Sequence, residues 1–358
     1  MKNKPSAVII GAGVAGLAAA TRLAIQGFEV EVYERNSYPG GKLSMFEKDG
    51  FRFDAGPSLF TQPEHLEELF AAAGEPIQDY LQYKPVDITC KYFFENGKRI
   101  DAFTDNKLFA EELQNKVNEP TDNLYRYLAA SRNLYENVGS IFLNFSLHKF
   151  STWFNKRIFK ALKAVKLSYL LKSFNHYNSK QFQSEETRQI FNRFATYNGS
   201  SPYKAPAMLS LIPHLELNRG VYYPQGGMIS ITNALYQLAL KKGVQFHFNT
   251  SIDHIIHTEG VAKGVVVKEE NKYADVVVSN ADVFFTWKHL VNRADRAQKI
   301  LRQERSSSAL IFYWGISKHF PELDLHNIFF TKNYKEEFVH LFNKKKLYPD
   351  PTVYVNIT

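Results

Sequence analysis

Cysteine is almost missing from this chain. Cys90 stands alone in 358 residues, which excludes an intrachain disulfide framework and fits a reducing compartment. No Cys/His spacing of the zinc-site kind occurs among the eleven scattered histidines, so no metal is expected. No apolar run reaches the roughly 20 residues that a helix needs to span a bilayer. Low-complexity tracts and internal repeats are absent too, which removes solenoids and linker-like segments. The start, "MKNKPSAVIIGAGVAGLAAA", imitates a signal peptide with its lysines and apolar run. The glycine spacing inside that run and the strand "EVEVYER" after it argue against a cleaved leader. The expected location is cytoplasmic, peripheral to the cell membrane.

One absence is local. Residues 137–184 hold no Asp or Glu, yet they carry Lys149, Lys156, Arg157, Lys160, Lys163, Lys166, Lys172 and Lys180. Within 154–169, Phe154, Ile158, Leu162, Val165 and Tyr169 fall at helical spacing on one face, with Lys156, Lys160 and Lys163 roughly opposite. That pattern suits an interfacial helix on an anionic membrane surface, and the basic stretch 149–172 is its expected contact. A basic surface helix docked on its own protein is the alternative. No recognition motif accompanies the charge, so nucleic acid is not expected.

What is present is a dinucleotide turn. In "AVIIGAGVAGLAAATRLAIQGFEVEVYERNSYPGGK" a short apolar strand runs into Gly11-Ala12-Gly13-Val14-Ala15-Gly16 and then a helix over 14–26. Gly11 permits the tight turn, Gly13 lets backbone approach a pyrophosphate, and Gly16 lets helix pack on strand. The helix N-terminus faces the anion. Glu34 ends the second strand 23 positions after Gly11, where a carboxylate accepts from ribose hydroxyls. NAD and FAD share this much. The following "NSYPGGK" adds Gly40, Gly41 and Lys42, and "FRFDAGPSLF" adds Asp54, Gly56 and Pro57. A glycine pair with a cation suits backbone lying close to an extended anionic cofactor; two ordinary turns are the bland alternative.

Further along, helices are expected over 64–73, 107–136 with a break at Pro120, 143–174, 183–194 and 228–242. Strands are expected over 244–249, 252–257, 262–268, 274–279, 308–316 and 352–357, with a hairpin at 92–103 around "ENGK". A β-α-β start, a long helical middle and a return to strands imply an α/β fold. A Rossmann-like FAD/NAD(P)-binding domain (1–85 and 215–285) is interrupted by an inserted α+β domain (86–214 and 286–358) facing substrate and membrane.

Taken in order, "GAGVAGLAAATRLAIQGFEVEVYERNSYPGGK", "GFRFDAGPSLFTQP", "YYPQGGM" and "ADVVVSNAD" resemble the bacterial carotenoid desaturases of the phytoene-desaturase type. "FATYNGSSPYKAPAMLSLIPHLE" and "DAGPSLFTQP" are most similar to the hydroxycarotenoid 3,4-desaturase branch. The resemblance implies FAD and a carotenoid substrate, dehydrogenated by hydride transfer to flavin. It implies Gly11, Ala12, Gly13 and Gly16 near the pyrophosphate and Glu34 on the adenosine ribose. It also implies Gly41 and Lys42 as the glycine-pair-plus-cation motif, Asp54, Gly56 and Pro57 beneath the flavin, and the Ile252 backbone at the adenine edge. Members of that group close with a second FAD segment, whereas this chain stops at "PTVYVNIT", so a C-terminally truncated chain with an incomplete FAD site is expected. No triad, dyad or Cys/His pair stands out. His214 and Glu216 in "PHLE" are the candidate polar groups near the flavin, with plain structural hydrogen bonding as the alternative. A flavin amine oxidase and a non-catalytic FAD-binding or membrane-docking fragment are the competing functional readings.

Overall fold

The computed structural model describes residues 4–139, 141 and 165–358. The chain divides into two units: Met1–Lys84 with Tyr222–Arg305, and 85–221 with 306–358. The insertion therefore ends at 221 rather than 214, and the first unit runs on to 305 rather than 285.

In the first unit, β1 (Ser6–Ile10) is followed by α1 (Val14–Ile25) and β2 (Glu29–Tyr33). β1 lies parallel to β2 on one side and to the Val276–Ser279 strand on the other, and Gln245–His247 adds to the far edge of β2. Such a doubly flanked parallel strand must be apolar on both faces, and Ala7, Val8, Ile9 and Ile10 are all buried. One face packs on α1 and on the helix Ile229–Lys241 through Ile9, Leu17, Ala20, Val32, Leu235 and Leu238. The other carries Val8, Ile10 and Tyr33 against Val265 and Val267 of a smaller antiparallel sheet and Ala274 just after it.

The second unit holds the antiparallel pair Ile88–Phe93 and Arg99–Phe103, extended by His326–Phe329 and Val353–Asn356. Helices Asn106–Val117, Thr121–Leu134, Phe174–Gln181 and Glu185–Asn192 pack on it through Tyr92, Ile100, Phe109, Leu113, Tyr127, Phe174 and Phe191. Pro120 separates the first two of these helices, since its ring removes a donor and blocks continuation.

Two expectations change here. The helix expected through 143–174 is not continuous where it is described. Lys166 is extended at φ −66°, ψ 139°, ahead of a short helix Leu167–Leu171. Lys172 is extended again, and Ser173 caps the next helix by accepting from the His176 amide. The interfacial helix over 154–169 otherwise lies outside the described residues. Residues 308–316 form no strand, and Leu310, Phe312 and Trp314 within them are about 70 % exposed. No helix among the described residues is long and apolar enough to cross a membrane.

Candidate functional site

The carboxyl end of β1 and the amino end of α1 meet at the glycine turn. Gly11 has φ +95°, a conformation open to glycine and costly for other residues. Its amide donates to the Tyr33 carbonyl at 2.8 Å, tying the turn to β2. Gly16 admits no side chain, because a Cβ there would lie 2.1 Å from the Gly11 carbonyl oxygen. α1 begins after Gly13 with no side-chain cap and no acidic residue in its first turn. Its leading N–H groups, which have no intrahelical acceptor, are therefore free to meet an anion.

Glu34 is buried beside this turn. One carboxylate oxygen accepts from the Ala12 amide at 2.8 Å and the other from the Asn36 amide at 2.9 Å. Each bond uses one lone pair, and a carboxylate has about four acceptor positions, so capacity for ribose hydroxyls remains. The chain 249–250 runs alongside: the Asn249 amide donates to the Asn36 carbonyl and the Thr250 amide to the Glu34 carbonyl. This brings Ile252 close in sequence to the Glu34 edge. Its side chain packs against the cluster containing Val8, Ile10 and Tyr33.

The "PGGK" segment folds back on the turn. The Gly40 amide donates to the Ala12 carbonyl at 2.8 Å, and Gly40 bridges to Gly13. A Cβ on Gly41 would sit 3.2 Å from the Gly13 Cα. The glycine pair thus answers first to a backbone–backbone approach, while Lys42 stands exposed beyond it. Gly56 passes the same segment so closely that a Cβ would lie 1.9 Å from the Lys42 carbonyl oxygen; Pro57 follows it at the surface. Asp54 is spoken for: it accepts from Arg52 at 3.1 Å and from the Met228 amide at 3.1 Å, at the start of the Ile229–Lys241 helix. In the structure it joins two elements of the first unit.

All eleven of these residues belong to the first unit. His214 and Glu216 belong to the second, and both have partners there. His214 is buried, lies 2.9 Å from the Asn218 amide nitrogen and packs at a tilt against the Tyr135 ring. Burial, then the charges of Arg132 and Arg219, lower its pKa. Glu216 forms a buried ion pair with Arg193 at 2.8 Å and accepts from the Tyr197 hydroxyl. The Arg193 guanidinium lies over the rings of Tyr92, Phe194 and Tyr197. These contacts give both residues a structural role. The one cysteine, Cys90, is buried in the same core, and that burial pushes its thiol up to about 12. No group of three metal-ligating side chains occurs among the described residues.

One residue at the turn was not singled out from the sequence. Asn280, just past the Val276–Ser279 strand, lies against the positions of Gly13 and Gly16. It stands inside the quoted "ADVVVSNAD", but nothing local in that run reveals that its strand is the neighbour of β1.

A parallel sheet, a glycine turn opening an uncapped helix and a buried carboxylate at the end of the next strand define a dinucleotide-binding oxidoreductase fold, and the residues present fit the ADP half of FAD. The profile of the flavin containing amine oxidoreductases matches residues 14–283, and the chain belongs to that family: it is an FAD-dependent oxidoreductase. It is 47 % identical over 352 residues to a 1-hydroxycarotenoid 3,4-desaturase of Flavobacterium sp. (strain P99-3), covering 98 % of this chain and 72 % of that protein. It is 33 % identical to a 4,4'-diapolycopene oxygenase of Methylomonas sp., over 97 % of this chain and 70 % of that one. An oxidoreductase from Methanosarcina mazei shares the fold with a TM-score of 0.54 at 19 % identity, over 80 % of this chain and 61 % of the other.

Proposed function

We propose that this protein desaturates a carotenoid, in the manner of a hydroxycarotenoid 3,4-desaturase. The observation that carries the reading is the 47 % identity to such a desaturase, sustained over 98 % of the chain. FAD, when bound, supplies the hydride acceptor for removing hydrogen from adjacent carbons of the polyene. The chain's own part is to hold and orient. The glycine turn and α1 take the diphosphate, Glu34 takes the ribose, and Gly41, Lys42, Gly56, Pro57 and Ile252 line the cofactor's path. An apolar polyene asks for alignment in a dry slot more than for a strong acid or base. That agrees with the structural engagement of His214 and Glu216.

A substrate of this kind dissolves in lipid, so the protein must reach it there. Of the basic stretch 149–172, residues 165–172 are described. Within them Leu167, Leu170 and Leu171 are 67, 54 and 71 % exposed, between Lys166 and Lys172. Exposed leucines flanked by lysines match an anionic membrane surface, apolar groups entering the acyl boundary and ammonium groups meeting headgroups. This favours peripheral attachment to the cytoplasmic face.

Expression in a host that makes hydroxycarotenoids tests the reaction. The expected pigment has a longer conjugated system at unchanged oxygen content. Pigment with added oxygen would move the reading toward the oxygenase relatives, and unchanged pigment alongside turnover of soluble amines would overturn it.

A further inference from the structure

We propose that the side-chain amide of Asn280 binds the diphosphate of FAD, completing the anion site from the strand opposite α1. The proposal rests on the FAD reading of the glycine turn and adds a residue to it.

Register places Asn280. Ser279 pairs with Ile10, and the Asn280 amide donates to the Ile10 carbonyl at 2.9 Å. Its Cα is thereby fixed at the carboxyl ends of two parallel strands, where ligands of open α/β sheets bind. From there the side chain reaches across the turn. Its Nδ2 would lie 2.7 Å from a Cβ on Gly13, 3.0 Å from one on Gly16 and 4.0 Å from one on Gly11. The amide thus occupies the space that the three glycines leave open.

Two features separate this from a packing role. First, the Asn280 side chain makes no hydrogen bond with any described residue, although it is only partly exposed. An amide kept for structure would place its two donors and its acceptor on protein groups. Its neighbour Ser279 does so, sharing a 2.8 Å bond with the Thr286 hydroxyl. Second, the α1 N-terminus beside it lacks both a side-chain cap and an acidic residue. A neutral amide adds directed N–H donors to that positive end and brings no charge to repel a diphosphate. A carboxylate at the same place would reverse the sign.

The test uses the full chain stripped of flavin, with FAD, ADP and adenosine titrated separately against the wild type, Asn280→Ala and Asn280→Asp. Loss of a hydrogen bond to a charged group predicts that Asn280→Ala weakens FAD and ADP binding by about tenfold or more. Asn280→Asp should weaken both further. Adenosine, which has no phosphate, should bind all three proteins alike. Wild-type protein that binds neither FAD nor ADP would remove the underlying cofactor reading. Wild-type binding matched by both variants would overturn the role of Asn280 alone. Equal losses for adenosine and ADP would also overturn it, since they would mean that Asn280 only props the turn. Thermal melts of the apo-proteins establish that the variants fold, and Asn280→Ala carries the test if Asn280→Asp does not.

Discussion

Glu34 holds the fold together at the point where the proposed ribose contact lies. Its carboxylate holds the Ala12 and Asn36 amides, so it fixes the glycine turn that it is also placed to help fill. Glu34→Ala should cost about 1–3 kcal/mol for each amide left without an acceptor, read as a lower unfolding midpoint, and should abolish flavin retention on gel filtration. Glu34→Gln keeps an acceptor and should lose less of both. His326 offers a pH signature. It is buried, with Nδ1 2.7 Å from the Tyr354 hydroxyl and no partner on Nε2. Burial, then the charge of Arg193, lowers its pKa from 6.5 to about 4. The unfolded chain therefore binds the proton more readily than the folded one. The contribution is fully present above pH 6.5 and is lost as pH falls toward 4. The shift corresponds to on the order of 3 kcal/mol. Chemical denaturation across that window should show the decline, and His326→Gln should flatten it. Glu34 was legible because it ends an alternating strand at a fixed distance from Gly11. His326 and Asn280 were not, because their significance comes from strands far away in sequence.

At the scale of elements, Gly16 and Glu119 make the sharpest statements. Gly16→Ala drives a methyl group into the Gly11 carbonyl, so β1 and α1 must part; stability should fall by about 1–3 kcal/mol and flavin should be poorly retained. Glu119 is fully buried and accepts from the Asn123 side chain and the Gln183 and Ser184 amides. It ties the start of one helix to the start of another. The exposed leucines predict a membrane effect: changing Leu167, Leu170 and Leu171 to Ser should reduce sedimentation with anionic vesicles and leave the unfolding midpoint nearly unchanged. An equal reduction on neutral vesicles would point away from the lysines.

The elements of the first β-α-β unit could be read from periodicity because apolar strands, a glycine turn and a capping glycine all point the same way. The strand Glu270–Tyr273 could not. Its four residues are all exposed and carry no alternation to mark it. Residues 308–316 failed in the other direction. An apolar, aromatic run has strand character by composition, but a strand needs a partner, and pairing is settled by distant chain rather than by the run itself.

For the whole molecule, the two-unit division follows from continuity of cores. The first unit closes its sheet with Gln245–His247 and Val276–Ser279, which only the return of the chain at Tyr222 can supply. The insertion was visible as a helical middle between two strand-rich ends, but its boundaries were not: Gly220, Pro224, Gly226 and Gly227 around residue 221 read as an ordinary turn before a helix, and no Pro- or Gly-rich run marks residue 305. The cofactor class likewise became readable only when the glycine turn, "PGGK" and "DAGPS" were taken together.

The most direct measurement is anaerobic mixing of FAD-loaded protein with vesicles that carry a hydroxycarotenoid. A desaturase will bleach the flavin absorption while the carotenoid spectrum shifts to longer wavelength, each flavin reduced matching one new double bond. A flavin that stays oxidised in the presence of carotenoid, yet bleaches with a soluble amine, would contradict a desaturase role.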